Sequence, residues 1–353
     1  MHADTEITEV LQADGVPQSL IDVISALLTA TQNLAVHIAR GPIIDANPNA
    51  PRNVHGEAQT PLDGFANQTL KNALSQLNSV AALASEEEPK TVPCHPNGQY
   101  VVAFDPLDGS SNIAVNGPIG TIFTIYPRLR NCEHTNDAHF LQPGRQQLCA
   151  GYVLYGPATQ CVLSTGGATR GYTLLHHHKN ATPLTGEAKK PGFYLTRASY
   201  HIAKTTQEFA INMAHQFRWQ PWLRNYIAGL MAGPNGPRKK AYTMRWSGAM
   251  VADVHRVISR GGIFMYPLLL PAAALNHSAQ QSQTPTHSAH AKLRLLYEAN
   301  PMALLIEGAG GLAYSQSCAI LDITPEAIHQ KDEVILGSAD EVQYCLTFAS
   351  GSV

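Results

Sequence analysis

From Leu20 to Ile38 the apolar residues Leu20, Val23, Ile24, Leu27, Leu28, Leu34 and Ile38 recur at helical spacing, and Gly41-Pro42 supplies a stop signal. The pattern predicts an amphipathic helix. The following stretch, GPIIDANPNAPRNVHG, is crowded with Pro and Asn and reads as a mobile loop. A second helical face restarts at Leu62, Phe65, Leu70, Leu74 and Leu77. The period then shortens. Tyr100–Phe104 is an apolar run ending at Asp105-Pro106, and Thr121–Tyr126, Gly151–Tyr155, Gln160–Thr165 and Gly171–Leu175 are further strand-like runs punctuated by Gly and Pro. The polar segment TPLTGEAKKP, residues 182–191, reads as a linker and predicts a boundary near residue 190. Beyond it, Phe193–Leu195, Glu208–Met213, Gly262–Tyr266, Leu321–Ile323 and Val334–Leu336 pattern as strands. Trp222–Met231, Met250–Ser259, Pro301–Glu307 and Ala339–Phe348 pattern as helices. Alternation of this kind predicts an α/β architecture in two units, residues 1–190 and 191–353.

Length and composition agree with that picture. A chain of 353 residues with 44% apolar content is long enough for about two domains, each with its own core. The 24 Lys and Arg nearly balance 26 Asp and Glu, which leaves no basic footprint for nucleic acid. The six cysteines include no C-x-x-C pair and read as reduced thiols, which favours the cytoplasm. The N-terminus MHADTEITEV lacks the basic and apolar regions of an export signal. Gly261–Leu275 is apolar but short and interrupted by two prolines, so no membrane association is expected. No charged residue occurs from Gly261 to Ala291, and the polar tract NHSAQQSQTPTHSAHA reads as a disordered insertion. The histidines at 176–178 and in that tract lack interspersed acidic or thiol ligands and read as solvated loops.

The chemistry concentrates at Phe104-Asp-Pro-Leu-Asp-Gly-Ser-Ser-Asn112, where an apolar strand ends in two carboxylates three residues apart. Pro106 fixes φ and withholds an amide donor, so the chain turns there and can aim Asp105 and Asp108 into one pocket. Rigid oxygen ligands suit Mg²⁺. The amides of Gly109, Ser110 and Ser111 follow as an anion nest for a phosphate. Upstream, Ser85-Glu86-Glu87-Glu88 taken alone is a solvated acidic turn. Paired with Asp105 and Asp108 it becomes a candidate for holding divalent ions. A third group, Lys292 to Met302, offers Glu298 as a further ligand and Lys292 as a phosphate counter-charge. A buried strand with exposed ends is the alternative reading of that segment.

These segments closely resemble class I fructose-1,6-bisphosphatases of the bacterial type, within the sugar and inositol phosphatase superfamily. The likeness extends from Asn53-Val-His-Gly-Glu57 through Gly120-Thr-Ile-Phe123, Phe140–Arg145, Met244-Arg-Trp246 and Met250–Arg256 to Lys292–Met302 and Ile320–Ile323. The resemblance implies a layered αβαβα sandwich of two α/β domains. It further implies hydrolysis of the 1-phosphate of fructose 1,6-bisphosphate, with sedoheptulose 1,7-bisphosphate as a second substrate. Glu86, Glu87, Asp105, Asp108, Glu298 and the Leu107 carbonyl would bind two or more Mg²⁺ ions. Asp108, Gly109, Ser110 and Ser111 would hold the scissile phosphate, and Lys292 would support the sugar phosphate. Asn212 and Tyr266 would contact the distal phosphate, while Gly248 and Met250 line the sugar pocket. Arg245 would reach that phosphate from a neighbouring subunit of a homotetramer.

The chain departs from the family pattern in several places. Gln68 stands where the resemblance expects an acid that, with Glu87, orients the attacking water, and an amide cannot take a proton. Thr60 and Pro61 replace two lysines, Ala114 replaces an acid, and His215 replaces Tyr or a small polar residue. Gln68 and Ala114 therefore raise an alternative: a catalytically impaired homologue that binds sugar phosphate as a regulatory or structural subunit.

Overall fold

The computed structural model describes residues 4–41, 60–130, 137–176, 190–271, 291–315 and 318–351. The loop after Gly41, the linker before Lys190, His177, His178 and the polar tract from Asn276 lie outside the described residues. Two of the three N-terminal helices fall where periodicity put them: α2 (Gln18–Ile38) and α3 (Pro61–Ser75). The short helix α1 (Ile7–Ala13), capped by the Glu6 carboxylate, carries no periodic signal long enough to mark it. Helix α3 begins with a reciprocal cap. The Asp63 amide donates to Thr60 Oγ1, the Thr60 amide donates to Asp63, and Pro61 opens the first turn. By length and hydropathy α2 could cross a membrane, but its apolar face is buried against the protein's own core.

Eight strands form the first sheet: β1 (Val80–Ser85), β2 (Val92–Pro93), β3 (Tyr100–Asp108), β4 (Ile119–Pro127), β5 (Cys149–Tyr155), β6 (Thr159–Ser164), β7 (Arg170–Leu175) and β8 (Gly192–Arg197). Their order is β2-β1-β3-β4-β5-β6-β7-β8, and only the β1–β3 pair is parallel. Both β1 and β3 are buried on both faces, so neither shows polar alternation. Strand β8 lies beyond residue 190 yet pairs with β7, so residues 192–197 belong to the first sheet.

The second sheet comprises β9 (Glu208–Ala210), β10 (Thr243–Met244), β11 (Ile263–Tyr266), β12 (Leu312–Tyr314) and β13 (Val334–Gly337), ordered β10-β9-β11-β13-β12. Four helices accompany it: α4 (Pro221–Met231), α5 (Met250–Arg260), α6 (Asn300–Gly308) and α7 (Ala339–Ala349). Two strand expectations are corrected. Leu321–Ile323 is occupied by a 3₁₀ turn, Ile320–Asp322, and the edge position belongs to β12. The expected strand Glu208–Met213 stops at Ala210 because the Asn212 side chain accepts from the Ala214 amide and starts a 3₁₀ turn.

Apolar cores separate the layers. Helices α1–α3 pack on one face of the first sheet through residues such as Ile24, Leu70, Phe104 and Phe193. Between the sheets, Ile122, Tyr152 and Val162 meet Val254 of α5, Met302 and Ile306 of α6, and Phe264 and Leu336 of the second sheet. Outside that sheet, Tyr226 of α4 and Val342 of α7 cover Phe209, Met265 and Ile335. The result is the αβαβα sandwich, and the end of β3 opens onto the seam between its halves.

Candidate active site

Two strand residues three apart ordinarily face opposite sides of a sheet. Here the β3–β4 register slips by one residue between the pairs Asp105↔Ile122 and Asp108↔Gly120. The bulge at Pro106 and Leu107 brings both carboxylates to one side. It is held from within: the Leu107 amide donates to Asp105 Oδ1 at 2.9 Å, and Thr121 Oγ1 donates to the Pro106 carbonyl at 2.9 Å. Glu298 reaches the same point from a π turn, Leu295–Ala299, just before α6. One oxygen each from Asp105, Asp108 and Glu298 lies within 4.8 Å of the others.

Such a cluster is under electrostatic stress. Burial pushes the Asp105 carboxyl well above its usual range, and Glu86, Asp108 and Glu298 push the same way. Burial also raises Glu298, with Arg294 opposing, and raises Asp108, with the Val251 amide opposing. That amide donates to Asp108 Oδ2 at 2.6 Å, so Asp108 joins β3 to the start of α5. Buried Arg294 bonds Glu86 through Nη1 at 2.7 Å, and its amide donates to Glu298. A multivalent cation would relieve this crowding, and an all-oxygen donor set fits Mg²⁺.

The surrounding cavity is about 680 Å³. Of the residues named from sequence, Glu86, Glu87, Asp105, Leu107, Asp108, Gly109, Ser110, Ser111, Asn212, Gly248, Met250, Tyr266, Lys292 and Glu298 all line it. Ser110 and Ser111 open the 3₁₀ turn Ser110–Val115, whose first amides have no acceptor within the turn. Gly109 has φ +80, and a Cβ there would lie 2.4 Å from the Ala249 Cβ. Only glycine satisfies both the left-handed backbone and the close approach.

Two sequence candidates fall elsewhere. Gln68 is absent from the lining. It sits on the exposed face of α3, where Nε2 donates to Asn72 Oδ1 at 2.6 Å. Gln68, expected to orient the attacking water, thus stands on the helix face that does not line this cavity. Asp63, not Gln68, is the α3 residue turned to the cavity. Arg245 is exposed and outside the lining of its own chain's cavity.

The chain matches the model for the fructose-1-6-bisphosphatase N-terminal domain over residues 4–180 and that for the C-terminal domain over residues 202–350. It belongs to the fructose-1,6-bisphosphatase family. A class 1 fructose-1,6-bisphosphatase of Cellvibrio japonicus is 48% identical over 339 residues, covering 96% of this chain and 97% of the relative. That of Colwellia psychrerythraea is 43% identical over the same shares. Among solved structures, the holo form of Leishmania major fructose-1,6-bisphosphatase superposes with a TM-score of 0.82 at 30% identity, covering 99% of this chain and 100% of that one.

Within this family member, sequence reasoning assigned no role to several lining residues, among them Asp63, Trp246, Phe264 and Arg294. Asp63 hid inside a helical face, although the Thr-Pro-Leu-Asp cap pattern marked it as the start of α3. Trp246 stacks on Phe264 with 6.1 Å between ring centroids and 7° between planes, and also contacts Tyr266. Together these three rings form an aromatic wall of the cavity. Glu88 turns the other way: it accepts from Asn67 Nδ2 at 2.9 Å and pairs with Lys71. The acidic run is thereby divided between the cavity and the scaffold.

Proposed function

We propose that this protein hydrolyses the 1-phosphate of fructose 1,6-bisphosphate, in a Mg²⁺-dependent reaction, to fructose 6-phosphate and phosphate. The observation that carries the reading is the Asp105–Asp108–Glu298 triplet, which shares one cavity with the Gly109–Ser111 turn. Near-full-length relatives that bear the fructose-1,6-bisphosphatase name support it. Asp105, Asp108 and Glu298 would hold the metal, with Glu86, Glu87 and the Leu107 carbonyl completing two or more ion sites. Mg²⁺ there supplies Lewis-acid neutralisation of phosphate charge.

The chain's own groups do the rest. The amides of Gly109, Ser110 and Ser111 hold the phosphoryl oxygens, and Lys292 adds a positive charge near Asp108, whose proton affinity it lowers. Asn212 and Tyr266 orient the distal phosphate at the other end of the cavity. The sugar lies between them, against Met250 and Gly248. Asp63 and Glu87 are further lining carboxylates placed to receive the proton of the attacking water. As water adds to phosphorus, the bond to the sugar oxygen breaks. Arg245, exposed and turned from its own cavity, supports a homotetramer in which it serves a neighbour's site, and the cytoplasm is the proposed location. The impaired-subunit alternative loses one of its two motives, because Gln68 lies outside the site.

A phosphate-release assay with Mg²⁺ across sugar bisphosphates, including sedoheptulose 1,7-bisphosphate, tests the reading. Release from fructose 1,6-bisphosphate well above a chelator control is expected. A folded protein that binds the sugar but releases nothing would restore the impaired-subunit reading.

A further inference from the structure

The phosphate-binding turn comes from the first sheet, whereas the aromatic wall comes from the second. Their separation has to match a sugar that carries a phosphate at each end. Beside the cradle, these contacts cross the seam. Asp108 Oδ2 accepts from the Val251 amide at 2.6 Å, Gly109 is pressed against Ala249, and Asn112 Nδ2 donates to the Ser247 carbonyl at 3.1 Å. The same Asn112 Nδ2 donates to the Pro118 carbonyl at 3.1 Å, which fixes it to its own turn.

The Ser247 peptide is gripped from the opposite side as well. Its amide is shared by both carboxylate oxygens of Asp253, each at 3.1 Å. Asp253 is 1% exposed and lies on α5. Its Oδ1 also accepts from Arg256 Nη2 at 2.9 Å, and that nitrogen donates to the Arg245 carbonyl at 3.1 Å. The loop that carries Trp246 and Gly248 is thus held by two side chains, neither of which lines the cavity. Gly248, with φ +81, gives the loop its left-handed turn, which glycine takes without a Cβ penalty.

We propose that Asp253 and Asn112 are positioning residues that clasp the Ser247 peptide and set the distance between the phosphate cradle and the aromatic wall. They select a substrate of bisphosphate length over a small phosphomonoester. The proposal rests on the hydrolytic reading above and assigns specificity to residues that touch no substrate. Asp253 preserves the wall's position, and Asn112 preserves the cradle's position relative to it.

The test compares Asp253→Asn and Asn112→Ala with the wild type on two substrates, fructose 1,6-bisphosphate and p-nitrophenyl phosphate, which fills only the cradle. Each variant should raise KM for the bisphosphate by ~10-fold or more, since sub-ångström to 1 Å misplacement has effects of this order. Turnover of p-nitrophenyl phosphate should change by less than about 3-fold on the same reasoning. Equal losses on both substrates, or an unchanged KM for the bisphosphate, would overturn the clasp. Trp246 emission, isolated by difference against Trp246→Phe in each background, gives a readout that needs no catalysis. A red shift in Asp253→Asn is expected, and an unshifted spectrum counts against the proposal. If the wild type hydrolyses neither substrate, the hydrolytic reading fails, and the emission result alone decides the clasp.

Discussion

Replacing Asp105 with Asn should make the metal-free protein more stable while destroying its response to Mg²⁺. The change keeps the acceptor for the Leu107 amide but removes one negative charge from a triplet whose oxygens lie within 4.8 Å. At an effective dielectric constant of about 20, each pair of charges at that separation repels by roughly 3 kcal/mol. The cluster's other escape is to bind a proton, which for an ordinary Asp at pH 7.5 costs ~5 kcal/mol and so caps the strain. Arg294 and Lys292 offset part of it, leaving a net gain of about 1 to 3 kcal/mol for Asp105→Asn. In a chain of this size that is a rise of a few degrees in Tm. Thermal unfolding with and without Mg²⁺, beside a phosphate-release assay, reads both halves of the expectation. The wild type should be stabilised by Mg²⁺ through mass action, and the variant should not. A variant that melts lower than the wild type without metal, or that keeps the Mg²⁺ increment and full turnover, would refute the electrostatic account.

Asp63→Asn should lower kcat by roughly 10²- to 10⁴-fold with little change in KM, whereas Gln68→Glu should leave both within about 2-fold; steady-state kinetics at neutral pH separates the two positions. Gly109→Ala forces a Cβ to within 2.4 Å of the Ala249 Cβ and should abolish measurable phosphate release. A near-normal rate in that variant would show that the seam tolerates displacement. Burial holds the His255 imidazole down at about 4, while Nδ1 bonds Tyr152 OH at 2.8 Å. The unfolded chain then takes up the proton first, so stability present above pH 6.5 is lost as pH falls through 4. The loss is about 2 kcal/mol once partial exposure is discounted, and urea titrations should find it missing in His255→Gln.

Much of the fold was legible because long apolar periods dominate it. The Leu20–Ile38 face became α2, and the short β-rich runs became adjacent strands of one sheet. The element β1 was harder, since VAALAS has neither alternation nor β-branched density and is a strand only because sheet and helices bury both its faces. The carboxylate pair was legible from its Pro-interrupted spacing, but the slip in register that makes it work belongs to β4 as much as to β3. Position 68 was singled out and position 63 was not, because linear order within a helix does not tell which face meets the cavity. A five-residue step rotates a side chain by about 140° around the axis. Arg294 was invisible for a related reason: its ion partner Glu86 is distant in sequence and is brought to it only by the fold.

The carboxylate triplet also has a bearing on how the protein is made. Asp105 and Asp108 emerge from the ribosome early, yet Lys292 and Glu298 belong to the last fifth of a 353-residue chain. The Val251 amide that fixes Asp108 arrives between them. A truncated or half-synthesised polypeptide therefore holds an acidic strand end without its third ligand, its counter-charge or its opposing wall. Complementation between separately expressed halves would have to rebuild the seam before the carboxylates, Lys292 and the aromatic rings lined one cavity again.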